Sequence, residues 1–230
     1  MIIRVIDFET TGLPPDAAVC EIGWCDLILS EVGPIRITPA QTMLVDPGRP
    51  MPIEAMAVHH IQDRDLVGTP PITDGFARIA DGADVFAAHN AVFERAFFTG
   101  NGMPWICTYR CGLHAWPKAP IHTNQGLRYF LTLDLGEEAM PPHRAGPDAF
   151  VTAHILRALL GVQPSEVLIK WTSQPALLTK CSFGKYRGQR WAEVPVDYLT
   201  WLLRQRDMSE DVQHTARHYM KRRQQQKATA

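Results

Sequence analysis

Asp7 and Glu9 stand two residues apart at the end of a short apolar run, Ile2-Ile3-Arg4-Val5-Ile6. Alternate side chains of a strand share a face, so the two carboxylates point together while Phe8 points away. Carboxylates this close repel, and in an aqueous cleft a divalent cation relieves the repulsion. An all-oxygen donor set suits a hard ion, Mg²⁺ or Mn²⁺. Taken alone, the pair serves equally well to cap the turn that follows. A second cluster, His89-Asn90-Ala91-Val92-Phe93-Glu94, marks the start of a helix. Glu94 falls in its first turn, where the helix dipole favours a carboxylate whether or not it does chemistry. The third cluster is His143-Arg144-Ala145-Gly146-Pro147-Asp148. Proline suits the first position of a helix and biases the residue before it away from helical dihedrals, so a helix is expected from Pro147 with Asp148 in its first turn. Asp148 is then held rigidly while His143 lies on the preceding loop, a division that suits a fixed metal ligand and a swinging general base. A loop histidine is otherwise a plain surface residue, and the chain has nine histidines.

The elements that position these residues follow from the pattern around them. Residues 2–6 are rich in β-branched side chains and stop at a Gly- and Pro-marked segment, which predicts a buried strand ending in a loop. Strand-like stretches at 19–29 and 42–45 suggest a meander. From residue 53 the pattern changes to short helical pieces, then a strand at 84–88, a helix at 91–98, a strand at 105–108 and a helix at 124–131. Residues 147–160 are apolar nearly all round, which predicts a helix buried against a sheet. Strands first, then alternating helix and strand, predict an α/β domain over 1–162. Residues 163–175 are expected to be a linker. Residues 176–230 are expected to form a small basic C-terminal α+β subdomain: a hairpin around Phe183-Gly184-Lys185-Tyr186-Arg187-Gly188, then amphipathic helices near 196–204 and 209–223. Gln224-Gln225-Gln226 and the closing Ala-Thr-Ala are expected to fray.

Composition narrows the class. With 230 residues, 46% hydrophobic and 20% charged, the chain can bury a real core, which excludes disorder throughout. No apolar run reaches the roughly 18 residues of a membrane helix, and the opening lacks the layout of a signal peptide, so a cytoplasmic protein is expected. Five scattered cysteines make neither a disulfide framework nor a zinc ribbon, and read as free thiols. The net charge of −1 conceals an asymmetry: residues 1–164 carry 11 Lys+Arg against 18 Asp+Glu, and residues 165–230 carry 12 against 6. A basic tail attracts phosphate backbones, whereas an acidic body repels them unless metals neutralise it. In the tail Lys185, Arg187 and Arg190 are interleaved with aromatics. The cations could neutralise phosphates while an exposed Trp191 stacks on a base. The other reading makes the aromatics a subdomain core and the cations a solvated face.

Asp-x-Glu closing the first strand, His-Asn-x-x-Phe-acid opening a helix and His-x4-Asp opening a buried helix resemble, in that order, the three motifs of the DEDDh exonucleases, the superfamily of proofreading exonucleases and ribonuclease T. The match extends to Thr10-Thr11-Gly12-Leu13 and to Met56-Ala57-Val58-His59. Trp105-Ile106-Cys107-Thr108, Trp116-Pro117 and the tail residues 183–188 with Tyr198 and Trp201 resemble bacterial exodeoxyribonucleases of that superfamily, over nearly the whole chain.

The resemblance implies a ribonuclease-H-like mixed five-stranded sheet flanked by helices. It implies a 3′→5′ exonuclease acting on single- or double-stranded DNA 3′ ends in DNA repair, with two Mg²⁺ or Mn²⁺ ions, no membrane partner, and a homodimer left open. Asp7, Glu9 and Asp148 would hold one ion, Asp7 and Glu94 a second, and His143 would be the general base. Thr10, Thr11, Gly12 and Leu13, with His59, Asn90 and Phe93, would hold the terminal nucleotide, although Asn90 also suits a helix cap and Phe93 a core. No base-reading pattern is visible, so cutting should be largely independent of sequence. One position departs from the family, which has Asp where this chain has Glu94. The extra methylene moves the carboxylate by about 1.5 Å, and octahedral Mg²⁺ tolerates little misplacement. The helix could sit farther back, Glu94 could act through water, or activity could be reduced. A 3′→5′ exoribonuclease and a nucleic-acid-binding module with an impaired nuclease centre are the alternative readings.

Overall fold

The computed structural model describes residues 1–228. Its first half supplies β1 (Ile2–Thr10), β2 (Val19–Ile28), β3 (Arg36–Ile37), β4 (Gln41–Leu44), α1 (Ile53–His59), α2 (Ile72–Ala80), β5 (Val85–Ala88), α3 (Ala91–Phe97) and β6 (Trp105–Cys107). After these come α4 (Thr108–Ala115), α5 (Asn124–Phe130), α6 (Ala145–Leu160), α7 (Ser165–Thr172), α8 (Val196–Arg204) and α9 (Glu210–Ala228). β1 lies in the middle of one mixed sheet, antiparallel to β2 on one side and parallel to β5 on the other, with β6 parallel beyond β5. Both β3 and β4 pair antiparallel with the far edge of β2. Among the described residues six strands therefore fill five positions, where five strands were expected. Pro39 separates β3 from β4 and has no N–H for a ladder, which explains the broken edge.

The period of β1 decides which residues become core and which become site. Ile3 and Val5 pack with α6, α7 and α4 on one side of the sheet, and Ile6 and Phe8 pack with the layer of α2 and α3 on the other. Asp7 and Glu9 continue the face of Ile3 and Val5, toward the end where α6 begins. That helix is apolar nearly all round because it lies buried across β1 and β2. It starts at Ala145, two residues earlier than expected. A buried Glu21 accepts the Ala145 N–H at 2.9 Å, and the Arg144 carbonyl accepts the Asp148 N–H at 3.0 Å. Gly146 has no Cβ to clash with the Pro147 ring, so the usual bias of the residue before proline is relaxed.

The segment expected as a linker is α7. Leu168 is fully buried in the core beneath the sheet, and the Thr172 hydroxyl accepts the Cys107 N–H at 2.7 Å. Its apolar residues were too few to show a helical period, but they pack. Beyond it, α8 and α9 close a separate small core of Cys181, Trp191, Val194, Leu199, Leu202, Val212 and Ala216. The expected hairpin is a 3₁₀ turn, Gly184–Tyr186, between the two arms of one antiparallel bridge, Lys180 with Arg190. Among the described residues the tail is thus helical with a single bridge rather than α+β. Arg110 joins tail to body through Asp211 at 3.2 Å. Gln224, Gln225 and Gln226 continue α9, while Thr229 and Ala230 of the expected fray lie outside the described residues. All five cysteines are free and buried, and no described helix is long and apolar enough to cross a membrane.

Candidate active site

The end of β1, the start of α3 and the start of α6 meet around a cleft of about 580 Å³ that is lined by Asp7, Glu9, Glu94, His143 and Asp148. One carboxylate oxygen each from Asp7, Glu9 and Asp148 lies within 4.8 Å of the others. Glu94 lines the same cleft but is not in that group. It is 4% exposed, and its Oε2 has no hydrogen-bond partner among the described residues.

Burial and mutual repulsion push these acids toward their neutral forms. Asp7 is raised well above the usual carboxylate range, first by burial and then by Asp148, Glu94 and Glu9. Burial lifts Glu9 to about 8, with Asp148 adding to it and Arg144 opposing it. Burial also lifts Glu94 to about 8. Asp148 is raised by burial but less freely, because the His143 N–H and the Gln125 amide hold its charged form. The carboxyl groups of Asp7, Glu9 and Asp148 form an oxygen-only donor set, and Glu94 lines the same cleft. A buried oxygen without a partner, as Glu94 Oε2 is, calls for a cation or a water beside it. The residues present fit a hard divalent ion.

Asp148 is fixed from several sides. Its Oδ2 accepts the His143 N–H at 2.7 Å and its Oδ1 faces the Gln125 amide at 3.4 Å. Asn124 donates to the Asp148 carbonyl at 3.1 Å and to the Thr152 hydroxyl at 2.7 Å. His143 itself has φ +60° and an exposed side chain, so its backbone is tied to Asp148 while its ring stands in the cleft. Behind this loop, Glu21 is fully buried and receives Arg144 through Nε at 3.1 and 3.0 Å and through Nη2 as well. Two glycines permit the close approach. A Cβ on Gly23 would stand 2.0 Å from the Ala145 backbone, and one on Gly146 would stand 2.2 Å from the Thr42 hydroxyl.

Thr10, Asn90 and Phe93 are among the residues that line the cleft. Asn90 precedes α3 in a left-handed conformation and makes no side-chain cap bond, and Phe93 is half-buried against Phe97. Thr11, Gly12 and Leu13 are not among the residues lining it: the Thr11 hydroxyl accepts the Ala18 N–H at 2.9 Å, and Leu13 is largely exposed beyond the strand end. His59 is not among the residues lining the cleft: it is 2% exposed, its Nδ1 accepts the Ile61 N–H at 3.0 Å, burial lowers its pKa, and it lies beside Cys20 and the backbone of the cleft-lining Thr10. One expectation is corrected. Trp191 is 0% exposed at the centre of the tail core, so its indole cannot stack on a base. Lys185, Arg187 and Arg190 are exposed on the tail.

Sequence reasoning missed Glu21, Arg144, Asn124 and Gln125 as residues that hold the site. An acid inside the apolar run Val19-Cys20-Glu21-Ile22 was the available signal for the first. His89 opens the second motif, lines the cleft and is held from both ring nitrogens. Burial lowers it to about 4, its Nε2 donates to the His122 carbonyl at 2.9 Å, and its Nδ1 lies 2.9 Å from the Thr108 hydroxyl.

A family model described as exonuclease, of the ribonuclease T type, matches residues 5–156, and the chain belongs to that family. Its fold is the ribonuclease-H-like fold of DEDDh exonucleases. Among individual proteins, it is 32% identical over 227 residues to Exodeoxyribonuclease 10 of Escherichia coli K12, which covers 95% of this chain and 98% of that protein. Among solved structures, it is similar to Exonuclease X in complex with 5′ overhanging duplex DNA, at 29% identity and a TM-score of 0.64 over 74% of this chain and 99% of the other. The nuclease domain of 3′hExo, a DEDDh family member bound to rAMP, shares the fold at 16% identity and a TM-score of 0.56, over 70% of this chain and 92% of that one.

Proposed function

We propose that the chain is a divalent-metal-dependent 3′→5′ exonuclease that hydrolyses DNA from its 3′ ends and serves in DNA repair. The observation that carries this reading is the group formed by Asp7, Glu9 and Asp148, with Glu94 across the same cleft. Likeness to Exodeoxyribonuclease 10 along nearly the whole chain, and to a nuclease solved with duplex DNA, supports DNA as the substrate.

Asp7, Glu9 and Asp148 would hold one Mg²⁺ or Mn²⁺, and Asp7 with Glu94 a second. Bound there, the ions would supply an activated water and neutralise phosphate charge. His143, anchored by its N–H to Asp148 but free at its ring, takes the proton of the attacking water at a ring nitrogen. Phe93 offers a half-exposed ring to the terminal nucleotide, while Asn90 and Thr10 offer polar groups beside it. Lys185, Arg187 and Arg190 would draw DNA phosphates to the tail.

The test is incubation with 5′-labelled and 3′-labelled DNA and RNA strands in Mg²⁺, Mn²⁺ or EDTA. The expected result is stepwise shortening of DNA from the 3′ end with either metal, and none in EDTA. Preferential shortening of RNA would make the protein an exoribonuclease. Binding without cutting in either metal would make it a nucleic-acid-binding module.

A further inference from the structure

The catalytic cleft does not end at the carboxylates. It shares Asn90 and Thr123 with a second cleft of about 750 Å³, which runs between body and tail past Arg110 and Asp211. The second cleft shares Pro120 and Lys180 with a third, of about 680 Å³. Lys118 from the body, Lys180 and Arg190 from the tail, and the half-buried Tyr219 line this third cleft, and among the described residues no acidic one does.

These cations are placed in an unusual way. Lys180 and Arg190 are opposed across the single antiparallel bridge of the tail. Side chains directly opposite in such a pair stand about 4.5–5.5 Å apart, and like charges there repel. Among the described residues, Lys118, Lys180 and Arg190 have no side-chain hydrogen bond or ion pair that would offset the repulsion. Along the middle stretch Asp211 is already engaged, by Arg110 at 3.2 Å and by the Ala176 N–H at 2.9 Å, which leaves Glu210 as its exposed acid. A line of phosphates is the ligand that such a row of free cations would match. Each cleft has the size of a small-ligand pocket, with room for nucleotides of one strand rather than a duplex. Tyr219 offers a ring on which a base could stack.

We infer that the three clefts form one track for single-stranded DNA: the strand whose 3′ end occupies the catalytic cleft leads away between body and tail, its phosphates resting on Lys180, Arg190 and Lys118. The inference rests on the nuclease reading and adds to it a site for nucleotides on the 5′ side of the one removed.

The test compares the full-length chain with a Lys118→Ala/Lys180→Ala variant on a trinucleotide and on a long single strand. The variant should cut the trinucleotide at the unaltered rate. Its KM for the long strand should rise several-fold or more, and its log-log salt slope should flatten by about 1.4, at about 0.7 for each phosphate of a single strand that is no longer neutralised. An unchanged KM and salt slope on the long strand would overturn the track. So would an equal loss on both lengths, or a loss confined to blunt duplex. Fluorescence anisotropy of the labelled long strand without metal reports on the track even if no cutting occurs. Failure of the nuclease reading is therefore distinguishable: the unaltered chain would not cut, yet the variant would still bind the long strand more weakly.

Discussion

Asp7 holds a carboxyl group where burial and neighbouring acids disfavour its charge. Removing that charge should trade activity for stability. Asp7→Asn should lower turnover by orders of magnitude while raising folding stability in EDTA by about 0.5–2 kcal/mol, as when a strained functional site is relaxed. Activity assay and thermal denaturation of the same preparation check both halves. Glu9 and Glu94 add a pH dependence, since folding lifts each from an ordinary 4.5 to about 8. A carboxyl raised on folding stabilises fully below its unfolded value and loses that contribution as pH climbs through the folded one. In EDTA the Tm should therefore receive a falling contribution between about pH 4.5 and 8 from these two groups, absent in a Glu9→Gln/Glu94→Gln variant. Mg²⁺ should raise the Tm most at the upper end, where fewer protons compete for the site. An identical pH profile in protein and variant would count against the assignment. His143→Ala should lose most activity yet keep its affinity for divalent ions by calorimetry, because the ring is placed as a base and not as a ligand.

The elements matter because three chain segments must meet within a few ångströms. The approach of α6 to β2 and β4 depends on Gly23 and Gly146, where a Cβ would meet backbone or a hydroxyl at 2.0–2.2 Å. Gly146→Ala should destabilise by about 1–3 kcal/mol through overpacking, and removing the opposing hydroxyl in Gly146→Ala/Thr42→Ala should recover part of it in a denaturant titration. No recovery would show that Thr42 is not the obstacle. Much of this scaffold was legible in the sequence. The β-branched opening run and the all-round apolar 147–160 each mark a buried element, and the Asp-x-Glu spacing puts two acids on one face. The helix α7 was not legible, because a short stretch between prolines shows its apolar side only once packed beneath β6. Nor was the Glu21–Arg144 pair, since residues 123 positions apart meet only through the packing of β2 against the start of α6. The burial of His59 was not legible either, because a motif gives a neighbourhood and not the direction a ring faces.

Across the whole molecule, an acidic body and a basic tail are joined by Arg110 and Asp211, with the catalytic cleft opening toward that junction. The charge division was legible in the composition of the two parts. The fate of the tail aromatics was not, because composition cannot say whether an indole faces a core or solvent: Trp191 is buried, whereas Trp201 is 46% exposed and stacked on Tyr198. The central claim is that the carboxylate cleft removes nucleotides from the 3′ end of DNA. Its most direct test uses one DNA strand blocked at its 3′ terminus and the same strand blocked at its 5′ terminus, each incubated in Mg²⁺ with the unaltered chain and with Asp7→Asn. The account predicts stepwise loss of the 5′-blocked strand, sparing of the 3′-blocked strand, and neither reaction with Asp7→Asn. Equal consumption of both strands, or near-normal cutting by folded Asp7→Asn, would contradict it.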